Sequence, residues 1–339
     1  MSVLFHLTMP DGPMAALEAV MQDVQTLQKQ IVDSQINHFY PGNRPGSRLP
    51  RQLWGVAQLP RLRRTEKQVQ LHHIFNPDLF PFPALRWLKK PIVYTAVTGV
   101  GRTPPAVAQK LARQVHTITL PTIADQQQLA AWGITNTAVI HPGIGTHHFF
   151  YQPPPPNAPF TLMMASAPWT SAQFRSKGID ALLAVAQERP DLHLIFLWRG
   201  LLVDEMRQRI NLANLDQRVI LLNERVNVND ILSQVHASIL LADDPVLVKA
   251  FPHSLLESLV AGKPVLISPT MALAEYVTTN QCGVVVTAVS PPAIHQALNQ
   301  LQNQYPTYQQ NALAVGARDF GQQQFIDATL ALYKTVVAQ

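Results

Sequence analysis

The stretch KAFPHSLLESLVAGKPVLIS, residues 249–268, gathers chemically useful groups at what reads as the start of a helix. The spacing predicts a helix over residues 254–261, entered at Pro252, with Ser254 as cap, Glu257 in the first turn and Gly262 as the left-handed stop. The backbone N–H groups of Phe251, His253, Ser254 and Leu255, around Pro252, would carry the partial positive charge of a helix start. Such a place holds a phosphate without a special side chain. A carboxylate beside it repels phosphate and better suits a pair of sugar hydroxyls such as those of ribose. Lys249, eight positions ahead of Glu257, is the unusual member of the stretch.

The elements that position these groups follow an alternating pattern. SVLFHLT, PIVYTAV, HTITLP and TAVIHPG read as strands in the first half, and FTLMMAS, LHLIFLW, RVILLN, SILLAD and KPVLIS in the second. Helical stretches at 13–30, 106–113, 123–132, 179–188, 203–213, 228–235 and 254–261 separate them. Strands alternating with helices predict an α/β protein with parallel, doubly wound sheets. The pattern runs twice, once on each side of FYQPPPPNAPF, a stiff connector that suits a domain boundary. FGQQQFIDATLALYKTVVAQ reads as a terminal helix. Ligands of such sheets lie at the carboxyl ends of the strands, so a cleft between two such domains is the expected site.

Composition narrows the class. With 339 residues, 47% hydrophobic and 14% charged, the chain can bury two cores. A lone cysteine, Cys282, excludes an internal disulfide and fits a cytoplasmic protein. No signal peptide is read at the start, and no run reaches the ~18 apolar residues of a membrane span. The net charge of +5 is uneven: residues 1–150 hold 14 Lys+Arg against 7 Asp+Glu. LPRQLWGVAQLPRLRR and RWLKKP carry much of the excess, either as a solvated surface or as an attraction to anionic lipid or acceptor. No nucleic-acid recognition motif is present. No G-x-G-x-x-G follows the first strand, which disfavours a dinucleotide-binding dehydrogenase. His72 and His73 are adjacent, so on a strand they face opposite sides and do not share one metal ion.

FPHSLLESLVAGKPVLIS resembles the donor-binding segment of the retaining family-four glycosyltransferases, the glycosyl transferases group 1, which have the GT-B fold. The likeness extends along the chain. SVLFHLTMPDGPMAALEAV is similar to the family's first strand, glycine turn (Gly12) and helix, and LHHIFNPDLF to its histidine-rich strand end. RSKGIDALLAV resembles the Lys-Gly turn, with Lys177 at the position of the diphosphate-binding lysine, and RVILLNERVNVNDILSQ the loop that contacts the nucleobase, through Arg225 and Val226. The resemblance implies two Rossmann-like domains facing across a cleft, acceptor-binding over 1–152 and nucleotide-sugar-binding over 153–320. The helix of 321–339 would cross back to the first domain.

By that resemblance Glu257 holds the nucleotide's ribose, while Phe251 to Leu255 (with Pro252, His253 and Ser254 between) meet the diphosphate. The chain also departs from the family. Lys249 replaces the first of two glutamates, with Asp243 and Asp244 upstream as alternative acceptors. Ser166-Ala167 stand where an arginine follows the first strand of the second domain, and Arg175 is a substitute for it. Val97 or Thr98 stands where a histidine is usual. Lys249 fits a solvated loop, a lost sugar-holding carboxylate or an altered donor.

The implied reaction moves a sugar from a nucleotide-diphosphate sugar, UDP or GDP, to an acceptor hydroxyl with anomeric retention. It needs no metal and no prosthetic group. Lys177, Arg175 and Lys249 would serve the chemistry, and Gly12, His73 and Thr98 the acceptor side. The acceptor would be a glycan, a lipid-linked or a small molecule, with a peripheral contact to an anionic inner membrane face. The alternative is a catalytically impaired homologue that binds nucleotide sugar or supports a partner.

Overall fold

Strands β1 (Ser2–Leu7), β2 (Asp33–His38), β3 (Leu71–Asn76), β4 (Ile92–Ala96), β5 (Thr117–Leu120) and β6 (Thr137–Val139) form one parallel sheet in the computed structural model, in the order β2-β1-β3-β4-β5-β6. The structure describes residues 1–9, 15–41, 49–145, 148–248 and 251–338. Side chains alternate across this sheet. Val3, Phe5 and Leu7 pack on Val20, Val24 and Leu27 of α1 (Ala15–Gln30). Leu4, Ile74, Tyr94 and Ile118 face the other way. They pack on Leu62 of α2 (Leu59–Thr65), Leu111 of α3 (Pro105–Ala112) and Leu129 of α4 (Ile123–Ala131).

The second sheet, also parallel, takes β7 (Phe160–Met164), β8 (Leu192–Leu197), β9 (Val219–Leu222), β10 (Ala237–Leu240), β11 (Val265–Ile267) and β12 (Gly283–Val285) in the order β12-β11-β10-β7-β8-β9. The helices α5 (Ala172–Ser176), α6 (Ile179–Glu188), α7 (Val203–Leu212), α8 (Val228–Leu232), α9 (His253–Val260), α10 (Ala274–Asn280), α11 (Pro291–Asn303) and α12 (Tyr305–Asp319) follow in chain order. Strands β7 and β10 are neighbours, yet the chain leaves them toward opposite edges, so the topological switch point lies between them.

The chain divides into two compact units, residues 1–143 with 323–339, and residues 144–322. The division precedes the proline-rich connector instead of falling within it. Lys263, fully buried, donates Nζ to the carbonyl of Gln152 at 2.7 Å and lies 5.4 Å over the Tyr151 ring. Phe150 N–H donates to Asn229 Oδ1 at 3.2 Å. The connector is thereby seated on the second unit, which moves the boundary from residue 152 to residue 143. The two chain crossings pair beside each other: Ile144 N–H donates to the Phe320 carbonyl and Gln322 N–H to the Ile144 carbonyl. The last helix, α13 (Gln322–Ala338), buries Phe325, Ile326, Tyr333 and Val336 against β1, β3 and α1.

A polar chain crosses the interior of the first unit. Glu66 Oε1 accepts from the backbone N–H groups of Lys89 and Lys90 and from His72 Nε2, the last at 3.1 Å. Burial alone raises the Glu66 carboxyl, but these donors together hold it below its usual range. With Nε2–H committed to Glu66, His72 Nδ1 is the acceptor, and His6 Nε2 donates to it at 2.9 Å. His6 Nδ1 in turn accepts from Asn37 Nδ2 at 3.2 Å. Asn37 also donates to Gln58 Oε1, and Gln58 to the His38 carbonyl. Every member is satisfied with both imidazoles neutral, and burial lowers the pKa of both.

His73, on the opposite face, is bracketed by the Tyr333 hydroxyl at Nδ1 and by Thr95 Oγ1 at Nε2, and burial lowers it to about 3. The reading of His73 as a cleft residue is corrected here: it lies mid-strand, 2% exposed, under α13.

Burial lowers the pKa of all three histidines, while the unfolded chain takes up protons on them below about pH 6.5, so stability falls with acid. His73, held at about 3, is expected to cost about 2 kcal/mol by pH 5. Urea unfolding at pH 7 and pH 5 should show the loss, and His73→Gln should remove one proton from the slope. An unfolding free energy that is flat between these values would contradict the neutral network.

Candidate functional site

The carboxyl ends of β7, β8 and β10 carry the polar groups that the second unit leaves inside. After β7 the chain passes Ser166 and Ala167, makes the short helix α5 and ends it at Lys177. Gly178 follows at φ 70°, and a Cβ there would stand 2.8 Å from Leu241 Cδ1. Glycine is therefore required both by the backbone and by the approach of the β10 loop. Asp243 N–H donates to the Ser176 carbonyl at 3.0 Å and ties that loop to α5.

Lys177 turns back under this segment. It is 4% exposed, and Nζ donates to Ser166 Oγ and to the Ala167 carbonyl, both at 3.1 Å. Neither partner carries a charge. Burial lowers the ammonium to about 8, so it remains a cation at neutral pH. Ser166 thus meets Lys177 directly, while Arg175 lies exposed on α5.

On the other side of the switch point, α9 begins one residue earlier than its pattern predicts. Pro252 is the N-cap, and its own side chain makes no capping hydrogen bond. Ser254 lies inside the first turn, where its carbonyl accepts from Ser258 Oγ at 2.9 Å; this corrects its reading as the cap. Glu257 accordingly falls in the second turn. Phe251 and Leu255 are buried in the core, Phe251 with its ring 5.9 Å from that of Phe320. Their side chains anchor the helix. Pro252 is buried as well, and His253 and Ser254 are half-buried.

Glu257 is half-buried, and burial raises its carboxyl to about 7, opposed by the positive charge of Arg199. Arg199 was not singled out by pattern. It is exposed, two residues past the end of β8, and the signal for it was a cation before glycine at a strand end of a doubly wound sheet.

Arg225, exposed, and Val226, half-buried, follow β9, two strands from β7. Thr98, in the first unit, donates Oγ1 to the Pro77 carbonyl at 2.6 Å and so joins the end of β4 to the segment after β3. Lys249 and Gly12 lie outside the described residues. Among the described residues, no group of three or more His, Cys, Asp or Glu side chains is placed to hold a metal ion. Among them, too, no helix is long and apolar enough to cross a membrane.

The helix α9 is fixed from behind. Gly262 closes it at φ 66°, with its N–H on the Leu259 carbonyl and the Lys263 N–H on the Ser258 carbonyl. Ser258 bonds Ser238 of β10. Gly316 of α12 lies so close that a Cβ would stand 2.3 Å from the Leu259 carbonyl oxygen. Gly316→Ala is therefore expected to push α12 off α9 and to cost about 2–4 kcal/mol. Chemical denaturation measures this, and a cost under ~0.5 kcal/mol would mean the two helices are not held at this distance.

The sequence profile of the family "Glycosyl transferases group 1" matches residues 170–314, the span that contains Lys177, Arg199 and Glu257. A sequence comparison with curated proteins finds no match. Among solved structures, HepE of Anabaena in complex with UDP superposes with a TM-score of 0.74 at 16% identity, over 99% of this chain and 100% of that one. A glycosyltransferase from Rickettsia africae ESF-5 gives 0.76 at 13% identity, over 99% and 98%. The sucrose-phosphate synthase of Thermosynechococcus elongatus gives 0.72 at 13% identity, over the whole of both chains.

Proposed function

We propose that this chain, a member of the glycosyl transferases group 1 with the two-unit GT-B fold, transfers a sugar from a nucleotide-diphosphate sugar to an acceptor hydroxyl with retention at the anomeric carbon. One observation carries the reading. A buried ammonium on uncharged partners, Lys177, and a half-buried carboxyl, Glu257, stand at the switch point of one parallel sheet, the carboxyl on a helix that begins at a proline N-cap. A ribosyl diphosphate fits that set: the phosphates take Lys177 and the first N–H groups of α9, and the ribose hydroxyls donate to Glu257.

The bond from the anomeric carbon to the diphosphate oxygen breaks, and negative charge grows on that oxygen. Lys177 and the N–H groups of residues 253–255 stabilise it. The acceptor oxygen bonds the anomeric carbon and passes its proton to the departing phosphate oxygen, so no protein base is needed. UDP is the favoured nucleotide, because HepE of Anabaena was crystallised with UDP-glucose; GDP is the other candidate. The acceptor, a glycan, a lipid-linked or a small molecule, lies with the first unit. That unit's exposed Arg61, Arg63, Arg64, Arg86, Lys89 and Lys90 suit a peripheral contact with an anionic membrane surface. A cytoplasmic protein fits this reading. The replacement of the family's first donor glutamate by Lys249 favours one second reading, a homologue that binds nucleotide sugar without turnover.

Thermal shift with UDP, GDP and their sugars decides between them. A ligand at ~100 times its Kd should stabilise by about 2.7 kcal/mol. Glu257→Ala should lose the shift, and release of UDP or GDP from the matching sugar nucleotide separates the enzyme from the binding protein. No shift with any nucleotide sinks both readings.

The pH dependence is equally specific. Glu257 needs its charge and loses it below about 7, whereas Lys177 loses its charge above about 8. UDP-glucose, whose diphosphate does not titrate in this range, is therefore expected to bind best between these values. Affinity should fall on the acid side in wild type but not in Glu257→Gln. A flat profile from pH 6 to 9 would remove these two groups from the site.

A further inference from the structure

We propose that Arg199 is a donor-binding residue: from the end of β8 its guanidinium supplies the second cation for the diphosphate that Lys177 serves from the end of α5. The inference rests on the donor-site reading above and extends it to a residue outside the Lys-Gly turn and the donor helix. A diphosphate diester carries two negative charges, and Lys177 supplies one positive charge. After β7, Ser166 and Ala167 stand where a cation would be adjacent, and they instead hold Lys177 Nζ in place.

The neighbouring strand brings a cation to that segment. Gly200, next to Arg199, lies directly against Ala167: a Cβ on it would stand 2.8 Å from the Ala167 Cβ. The turn that carries Arg199 therefore packs on the residue whose carbonyl receives Lys177. The turn is also pinned. Trp198, 1% exposed, takes the Leu222 carbonyl through its N–H at 2.8 Å and donates Nε1 to the Leu201 carbonyl at 2.8 Å. Arg199 itself remains exposed, and its charge acts on Glu257 across the switch point. Ala167 thus meets Lys177 through its carbonyl and the Arg199 turn through its side chain. A guanidinium is suited to the role, because it stays charged and presents a planar fork to phosphate oxygens.

A ladder of ligands tests this by calorimetry: uridine, UMP, UDP and UDP-glucose, with the guanosine series beside it, on wild type, Arg199→Ala, Arg199→Lys and Glu257→Ala. Arg199→Ala is expected to weaken the diphosphates tenfold or more and the nucleoside less than twofold. Arg199→Lys should lose less than Arg199→Ala, and Glu257→Ala should weaken every rung. Diphosphate affinity unchanged in Arg199→Ala overturns the proposal and leaves the donor site standing. Equal loss at every rung overturns it too, because Arg199 then acts through Glu257 and the ribose. If wild type binds neither series, the donor site falls and Arg199 with it.

Discussion

The arrangement of the second unit turns on one interaction, the hold of the Lys177 ammonium on two uncharged oxygens beneath the first strand-end loop. It sits where α5 stops, with Gly178 following at positive φ and the loop from β10 packed close against it. Keeping this cation out of water is unfavourable. A drop from 10.5 to about 8 corresponds to roughly 3 kcal/mol, and the rise of Glu257 from 4.5 to about 7 is of the same order. A fold carries such terms where something other than stability is gained, and the two lie together at the switch point.

The first unit buries polar groups on different terms. Its chain from Glu66 through His72 and His6 to Asn37 has a donor for every acceptor and a single consistent direction. It joins β1, β2 and β3 to the end of α2 and to the segment before β4, so it fixes strand register at the edge of the sheet. The second unit also closes buried polar groups on itself, as Lys263 does on the Gln152 carbonyl and Ser258 on Ser238, so Lys177 and Glu257 differ by lying at the strand ends.

Most of the second unit was legible in the sequence because strands covered on both faces read as unbroken apolar runs, as FTLMM and LHLIFL do. β2 escaped notice for the converse reason. DSQINH is an edge strand with one buried residue, Asn37, and its pairing to β1 is visible only once the sheet exists. The start of α9 was misjudged by one residue because Ser254 has cap chemistry while Pro252 has the cap geometry. Glu257 was singled out by its place near a helix start, and Lys177 by the resemblance of its Lys-Gly turn. Arg199 carried only the weaker signal of a cation before glycine at a strand end, and its relation to Ala167 and Glu257 comes from strand order, which a sequence does not print.

The contact of Gly316 with the Leu259 carbonyl has a bearing on recognition itself. With α12 against its back, β10 bonded through Ser258 and Phe251 sunk beside Phe320, α9 has no room to slide or tilt. Its first turn is a rigid template whose orientation is set before any ligand arrives. Little conformational entropy would then be lost by this helix if a ligand met its first turn. A helix held this firmly would discriminate by shape, because its surface does not adjust to what meets it.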